Sequence, residues 1–379
     1  MAGSRRKDHR YVLFNTDCEG PTVANDHAHE VAKRWARPHG DRLFRQLSNF
    51  DDYTAYVLQR PFYNTGDTLR LMLPFLKGVG QLTDDRLESW TRTSSINWID
   101  GAVDAIKKLL ETDRIEVFEI SASYYPFAAL VAENLGIRKD RVYSTYFSLD
   151  NYEMARGEAA RLRQLATEIV ELDDIPEIAL ESGLRSIEDF PAAEQSVLKR
   201  MTDIVWGEMA TELPCASRML KEIRSMGGNE KFNAIRDSLW RMQQAQDEVS
   251  AADVIYVGDS ITDVEAFRAV SDMGGVSIAF NGNRHAVDAA EYCAWGDTSL
   301  INALVAGIFR DHGRDGLRDF AASGGTEYKL IPSELSGLHD RLLQRDWGIA
   351  ERSGRNRDLL VGVSKYYRDK TRSAAATLS

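Results

Sequence analysis

The chain has 379 residues, 43% of them hydrophobic, and a formal net charge of −11. Such a length supports a full core and exceeds one ordinary compact domain, so a main body carrying a substantial insertion is expected. The acidic balance argues against a nucleic-acid or anionic-membrane partner, either of which needs an extended basic surface, but it leaves room for a small anionic substrate met by local cations or a metal.

The basic start, MAGSRRKDHR, runs into an apolar stretch over 11–14 that is too short for a signal-peptide core. No later segment reaches the roughly 18 to 20 consecutive apolar residues of a membrane span, so a cytoplasmic protein is expected. Cys18, Cys215 and Cys293 are far apart and form no CxxC pair, which fits a reducing compartment and offers no structural zinc site.

Short apolar runs over 11–15, 117–120, 142–146, 254–257 and 276–280 predict buried parallel strands with functional loops at their carboxyl ends. Helical patterns lie between them, such as Ala102, Val103, Ile106, Leu109 and Leu110, or Phe127, Leu130, Val131 and Leu135 closed by Gly136. The alternation predicts an α/β doubly wound sheet. Two stretches interrupt it: a helical, aromatic-rich module over 23–94, and a second helical insertion over 151–226. The core is accordingly expected over 1–22, 95–150 and 227–310, with 311–379 forming peripheral helices and a frayed end.

The chemistry-bearing residues follow these strands. The first strand ends in Thr16-Asp17-Cys18-Glu19-Gly20-Pro21. Two carboxylates two residues apart before Gly-Pro can curl off the strand and face one site, one as nucleophile and the other handling a proton. The second strand ends in Ser121-Ala122-Ser123 before a helix, where a hydroxyl and unpaired amides can cradle a phosphate, with Tyr124 and Tyr125 beside it. Lys231 opens a helical pattern after Gly227-Gly228-Asn229, where an ammonium can serve as a point charge on a phosphoryl oxygen. The sharpest element is the apolar strand running into Gly258-Asp259-Ser260-Ile261-Thr262-Asp263, whose carboxylates suit the oxygen shell of Mg2+. His27 and His29 would point to nearly opposite sides of a helix and are expected on a solvated face. Neither G-x-G-x-x-G nor a phosphate-binding G-x-x-x-x-G-K-[ST] follows a strand.

In this order, D-x-[D/E]-G, strand-Ser, an isolated Lys and G-D-x-x-x-D, the set resembles the four motifs of the haloacid dehalogenase (HAD) superfamily. More narrowly, TDCEGP and GDSITD are similar to segments of energy-converting hydrogenase A subunit R-like proteins and, more distantly, of phosphoserine phosphatases. The resemblance implies a Rossmann-like, HAD-type three-layer core, with the Asp17 strand central between the Ser121 and Asp259 strands. Over 23–94 it implies a C1-type cap, and the second insertion falls where C2-type caps occur. Asp17 would form an aspartyl-phosphate and Glu19 would act as acid and then base, its backbone carbonyl binding Mg2+. Ser121 would bind a phosphoryl oxygen, Lys231 would offset charge, and Asp17, Asp259 and Asp263 would complete the metal set. Cap-side substrate contacts are expected from Arg60, Asn64 and Arg70, and core-side contacts from Ser123 and Tyr124.

The implied function is hydrolysis of a small phosphorylated metabolite; the alternatives are a phosphotransferase, or a catalytically weak or inactive binding or assembly subunit. Glu19 stands where the superfamily usually has Asp, and Pro21 where it has Thr or Val. Glutamate occurs there in enolase-phosphatase-type members, whereas dehalogenases lack an acid at this position. The oligomeric state is left open.

Overall fold

All five predicted strands form, and two more join them. In the computed structural model, which describes residues 9–176, 178, 186–246 and 248–372, a single seven-stranded sheet runs in the order β3-β2-β1-β4-β5-β6-β7. The strands are β1 (Val12–Thr16), β2 (Ile115–Tyr124), β3 (Val142–Thr145), β4 (Val254–Gly258), β5 (Val276–Phe280), β6 (Tyr292–Gly296) and β7 (Trp347–Glu351). All neighbours are parallel except β6 and β7. β1 is central, flanked by β2 and β4, so the ends that carry Asp17, Ser121 and Asp259 lie side by side.

The apolar runs are continuous because both sheet faces are covered. Successive side chains alternate faces, so Val12, Phe14, Ile255 and Val257 pack with Phe127, Val131 and Leu304 on one side. Leu13, Val254 and Tyr256 pack with Ile235, Leu239 and Phe267 on the other. The result is a three-layer, Rossmann-like α/β fold with helical insertions.

The two insertions share one interior. Leu43, Phe50, Met72 and Phe75 from the first pack in the same apolar cluster as Leu162, Ile169, Met201, Ile204 and Met219 from the second. Asn49 Nδ2 reaches across to the Ile175 carbonyl at 2.8 Å, and Gln46 Oε1 accepts from the Ile175 amide at 3.0 Å. A common apolar core of this kind joins the two stretches into one helical body, although more than fifty residues of the sheet domain separate them in the chain.

Two expectations need correction. The segment after residue 310 is not merely peripheral: it adds β7 to the sheet and ends, within the described residues, in the helix Arg357–Arg372, whose buried residues include Leu360, Ser364, Arg368 and Arg372. A spacing of four keeps those four on roughly one face, and that face turns inward. The AAATLS end lies outside the described residues. Nor is the His27–His29 face solvated. The His27 ring is fully buried, stacked on Phe127 at 4.4 Å and Trp90 at 5.2 Å, because the helix His27–Trp35 lies between insertion and core.

Among the described residues no helix is long and apolar enough to cross a membrane. All three cysteines are buried and unpaired with one another.

Candidate active site

Four chain segments meet at the carboxyl edge of β1, β2 and β4. Asp17 follows β1 directly, and its amide still donates to the Val257 carbonyl at 2.8 Å, so the strand's hydrogen bonding delivers the side chain to the sheet edge. Asp17 Oδ1 accepts from the Cys18 amide at 2.7 Å. The loop then turns tightly, with the Gly20 amide donating to the Val23 carbonyl at 2.8 Å. Gly20 has φ +108°, and a Cβ there would lie 2.2 Å from the Asp259 carboxyl group. Glycine is therefore needed twice over, for the backbone angle and for the approach of the fourth motif to the first.

Lys231 lies in the first turn of the helix Asn229–Ala245 and is fully buried. Its ammonium donates to Asp17 Oδ2 at 2.5 Å and to Asp263 Oδ1 at 2.6 Å. Burial opposes the charge on Lys231, but Asp17 and then Asp263 outweigh it and hold the group well above its usual range. Asp263 is pulled below the ordinary carboxylate value because Lys231 overcomes the cost of burial. Burial wins at Asp17: despite Lys231, its pKa is pushed up to about 7, with Asp263 and Asp259 adding to the rise.

Asp263 is saturated. Besides Lys231, its Oδ1 accepts from Tyr256 Oη at 2.5 Å, and its Oδ2 accepts from the amides of Asp259 and Ser260, each at 2.9 Å. A Cβ on Gly258 would come within 2.5 Å of this carboxyl group, so the glycine of the fourth motif makes room for the second aspartate to fold back under the loop. That arrangement fixes Lys231 and the Asp259 loop together.

The carboxylates of Asp17, Asp259 and Asp263 each place an oxygen within 4.8 Å of the others. A small hard cation needs only one or two carboxylates plus water and substrate oxygens. Asp17 and Asp259 are carboxylates of that type and number, Asp259 being engaged by Arg368 and Arg372, and Asp263 is committed to orienting the loop. The donor set therefore fits magnesium.

Glu19 stands apart from these three carboxylates. Its Oε1 accepts from the His27 amide at 2.8 Å, at the start of the helix His27–Trp35. Burial, reinforced by Asp26, pushes its pKa up to about 8, so it is held as the acid form near neutrality. Ser121 is fully buried, and its Oγ accepts from the Ser123 amide at 3.1 Å. Ser123 is also fully buried.

The cap-side candidates lie elsewhere. Arg60 stacks over Trp206 at 4.2 Å, and Asn64 Oδ1 accepts from Asn229 Nδ2 at 3.2 Å, which ties the cap to the start of the Lys231 helix. Arg70 is buried and pairs with Asp67 while donating to the Leu220 carbonyl at 3.0 Å. Tyr124 is fully buried and donates to the Leu69 carbonyl at 3.1 Å. The structure thus gathers Asp17, Glu19, Ser121, Ser123, Lys231, Asp259 and Asp263 at one strand edge. Arg60, Asn64, Arg70 and Tyr124 are engaged within the cap or between cap and core.

Three residues of the site escaped the sequence reading. Arg368 and Arg372, both from the last described helix, converge on Asp259 Oδ2, with Arg372 Nη1 at 2.8 Å. Arg368 also donates to the Asp259 carbonyl at 3.1 Å, and Arg372 to the Asn25 carbonyl at 3.4 Å. Their only signal in the sequence is the spacing Leu360, Ser364, Arg368, Arg372 on one helical face. Basic residues in a final helical turn ordinarily complement the helix dipole in water. Glu119 was also missed. It is fully buried on β2, and burial followed by the charge of Asp17 holds it strongly toward the neutral form.

These features define a Rossmann-like α/β protein with a buried carboxylate–lysine centre beneath a helical cap. Over 98% of this chain and 99% of the other, the fold matches gene product AF1437 from Archaeoglobus fulgidus, with a TM-score of 0.74 and 23% sequence identity. More distant matches are a phosphoserine phosphatase in apo form (TM-score 0.40, 14% identity, 75% of this chain and 93% of that one) and a substrate-bound phosphoserine phosphatase complex (TM-score 0.42, 15% identity, 75% and 92%). No family model and no curated protein matches the chain.

Proposed function

We propose that the protein is a HAD-type, magnesium-dependent phosphohydrolase acting on a small phosphomonoester through an aspartyl-phosphate at Asp17. The observation that carries this reading is the buried Lys231 ammonium shared by Asp17 and Asp263, with Asp259 close enough to hold a cation jointly with Asp17. A structural salt bridge has no need of a second carboxylate on the same lysine and a third within reach of both at a strand edge. A nucleophile that must stay ionised beside an incoming dianion does need a fixed cation.

In this reading Asp17 and Asp259 hold the magnesium ion, which supplies charge neutralisation to the phosphoryl oxygens when bound. The chain's own groups do the rest. Asp17 attacks phosphorus through a carboxylate oxygen while the leaving alkoxide takes a proton from the Glu19 carboxyl group. Glu19, now ionised, accepts a proton from water as that water attacks phosphorus and releases Asp17. Ser121 and the amides after β2 hold phosphoryl oxygens, and Lys231 balances the charge of Asp17 throughout. The helical body over the strand edge limits water to what the reaction uses. The substrate is taken to be a cytoplasmic phosphorylated metabolite.

The test is a panel of phosphorylated metabolites and p-nitrophenyl phosphate, assayed with and without magnesium, followed by Asp17→Asn. Magnesium-dependent release of phosphate that vanishes in the variant is expected; full turnover by Asp17→Asn would falsify the mechanism. Added alcohol acceptors separate a hydrolase from a phosphotransferase, since only the latter yields new phosphomonoesters. One observation favours the weak-enzyme alternative, namely the two arginines already seated on Asp259. Absence of turnover across the panel, with magnesium binding retained, would support it.

A further inference from the structure

The helix Arg357–Arg372 brings two permanent cations to the carboxylate that the proposed metal requires. Arg368 and Arg372 are 2% and 5% exposed, and both donate to the same oxygen, Asp259 Oδ2. Guanidinium groups do not lose their charge in proteins, so the pair cannot be neutralised in place. The charge of Arg372 is also favoured by Glu19, Asp26 and Asp17, which makes it an occupant of the acidic pocket and not only a neighbour of Asp259.

We propose that this helix is an internal counter-ion plug, and that docking of Arg368 and Arg372 on Asp259 is mutually exclusive with divalent-cation binding at the site. The proposal rests on the magnesium-dependent reading above. A dication beside Asp259 would face two like charges within a few ångströms, in a buried place where screening is weak. Access points the same way. Asp17 is 4% exposed, Asp259 1%, and Lys231 and Asp263 not at all, so neither a hydrated ion nor a phosphomonoester reaches them without a movement.

The helix is the element placed to move. Its outer face is in water, with Leu359 and Tyr366 well exposed, and its apolar anchorage in the core comes from Leu360 with Val361 packed alongside. Its polar ties include Arg357 to Asp288 at 2.6 and 2.7 Å, Lys370 to Asp297 at 3.4 Å, and the two arginines to Asp259, with Arg368 also reaching the Asn281 carbonyl and Arg372 the Asn25 carbonyl. The two insertions share one apolar interior and form a single body. Because coupling is reciprocal, a cation that displaces the arginines loosens the helix, and a change that loosens the helix tightens cation binding.

The experiment uses the full chain with MgCl2 as the probe. Isothermal titration gives magnesium affinity for wild type, Arg372→Gln, Arg368→Gln and Arg357→Gln, and hydrogen exchange follows residues 357–372 with and without magnesium. Arg372→Gln is expected to bind magnesium at least ten-fold tighter. Arg357→Gln, remote from the pocket, should shift affinity in the same direction by a smaller factor. In the wild type, magnesium should speed exchange in this helix and not in the helix Asn229–Ala245. Equal or weaker magnesium binding by both pocket variants would show that the arginines position Asp259 for the metal, and would overturn the proposal alone. Magnesium binding by none of the four proteins would overturn it together with the phosphohydrolase reading.

Discussion

The two sides of the pocket are built on different principles. On the Lys231 side one ammonium, from the first turn of the helix Asn229–Ala245, sits between two carboxylates that follow β1 and β4. On the Asp259 side two guanidinium groups share one carboxylate oxygen, and both arrive from the far end of the chain. The first arrangement is locked, since loss of any member strands a buried charge. The second can be exchanged, because a different cation can take the place of the arginines. A buried ion cluster is thus fixed or switchable according to how its cations are tethered.

The largest effect is expected from breaking the locked side. Replacing Lys231 with Met leaves Asp17 and Asp263 buried without their cation, which should cost about 3–5 kcal/mol of stability. Turnover should fall roughly 100- to 1,000-fold even where the variant folds. Chemical denaturation and steady-state assay measure the two separately, and a stable, fully active variant would remove the reason for calling this side locked.

Gly20→Ala probes the seam between the sides. The new methyl group would collide with the Asp259 carboxyl group at a backbone angle that L-residues avoid. Magnesium affinity should fall at least ten-fold, while Lys231 and its partners stay in place. Calorimetry detects the first; a thermal midpoint only modestly reduced would agree with the second.

The smallest effect sharpens the contrast by taking it into the cap. Asp51 is buried against Asp67, and burial followed by that neighbour pushes its pKa up from the ordinary 3.8 to about 7. Arg70 pairs with Asp67 and not with Asp51, so here no cation is shared. Between pH 4 and 7, roughly, folded Asp51 binds a proton that the unfolded chain has released, so its contribution to stability declines as pH rises through this window. Asp51→Asn should flatten that decline in a series of thermal melts. An unchanged slope would mean that Asp51 is ionised in the fold.

Much of the locked side was legible in the sequence because the two aspartate motifs each follow an apolar strand and Lys231 opens a helix after a glycine pair. The apolar run before Asp17 and the run before Gly258-Asp259 both end in glycine-bearing loops, and parallel pairing next to β1 brings those loops together. The second insertion's union with the first was not legible, since packing between segments separated by the sheet domain leaves no local periodicity. β6 and β7 were missed for a related reason. YCAWG and WGIAE each carry a glycine and a tryptophan in place of a clean apolar run, and their strand character comes from tertiary pairing, β6 with β5 and β7 with β6. Arg368 and Arg372 were hidden most completely: on a charged helix after the last motif, their spacing is that of any solvated face until the tertiary fold turns it inward.

The central claim is that Asp17 becomes phosphorylated, and it can be read on the residue itself. The protein is mixed with magnesium and a substrate found active in the metabolite panel, quenched, and reduced with borohydride, which converts an aspartyl-phosphate to homoserine; peptide mass spectrometry then locates the change. Homoserine at position 17, absent without magnesium and absent in Asp17→Asn, is the result this account predicts. Turnover with an unmodified Asp17, or with the label on another carboxylate, would contradict it.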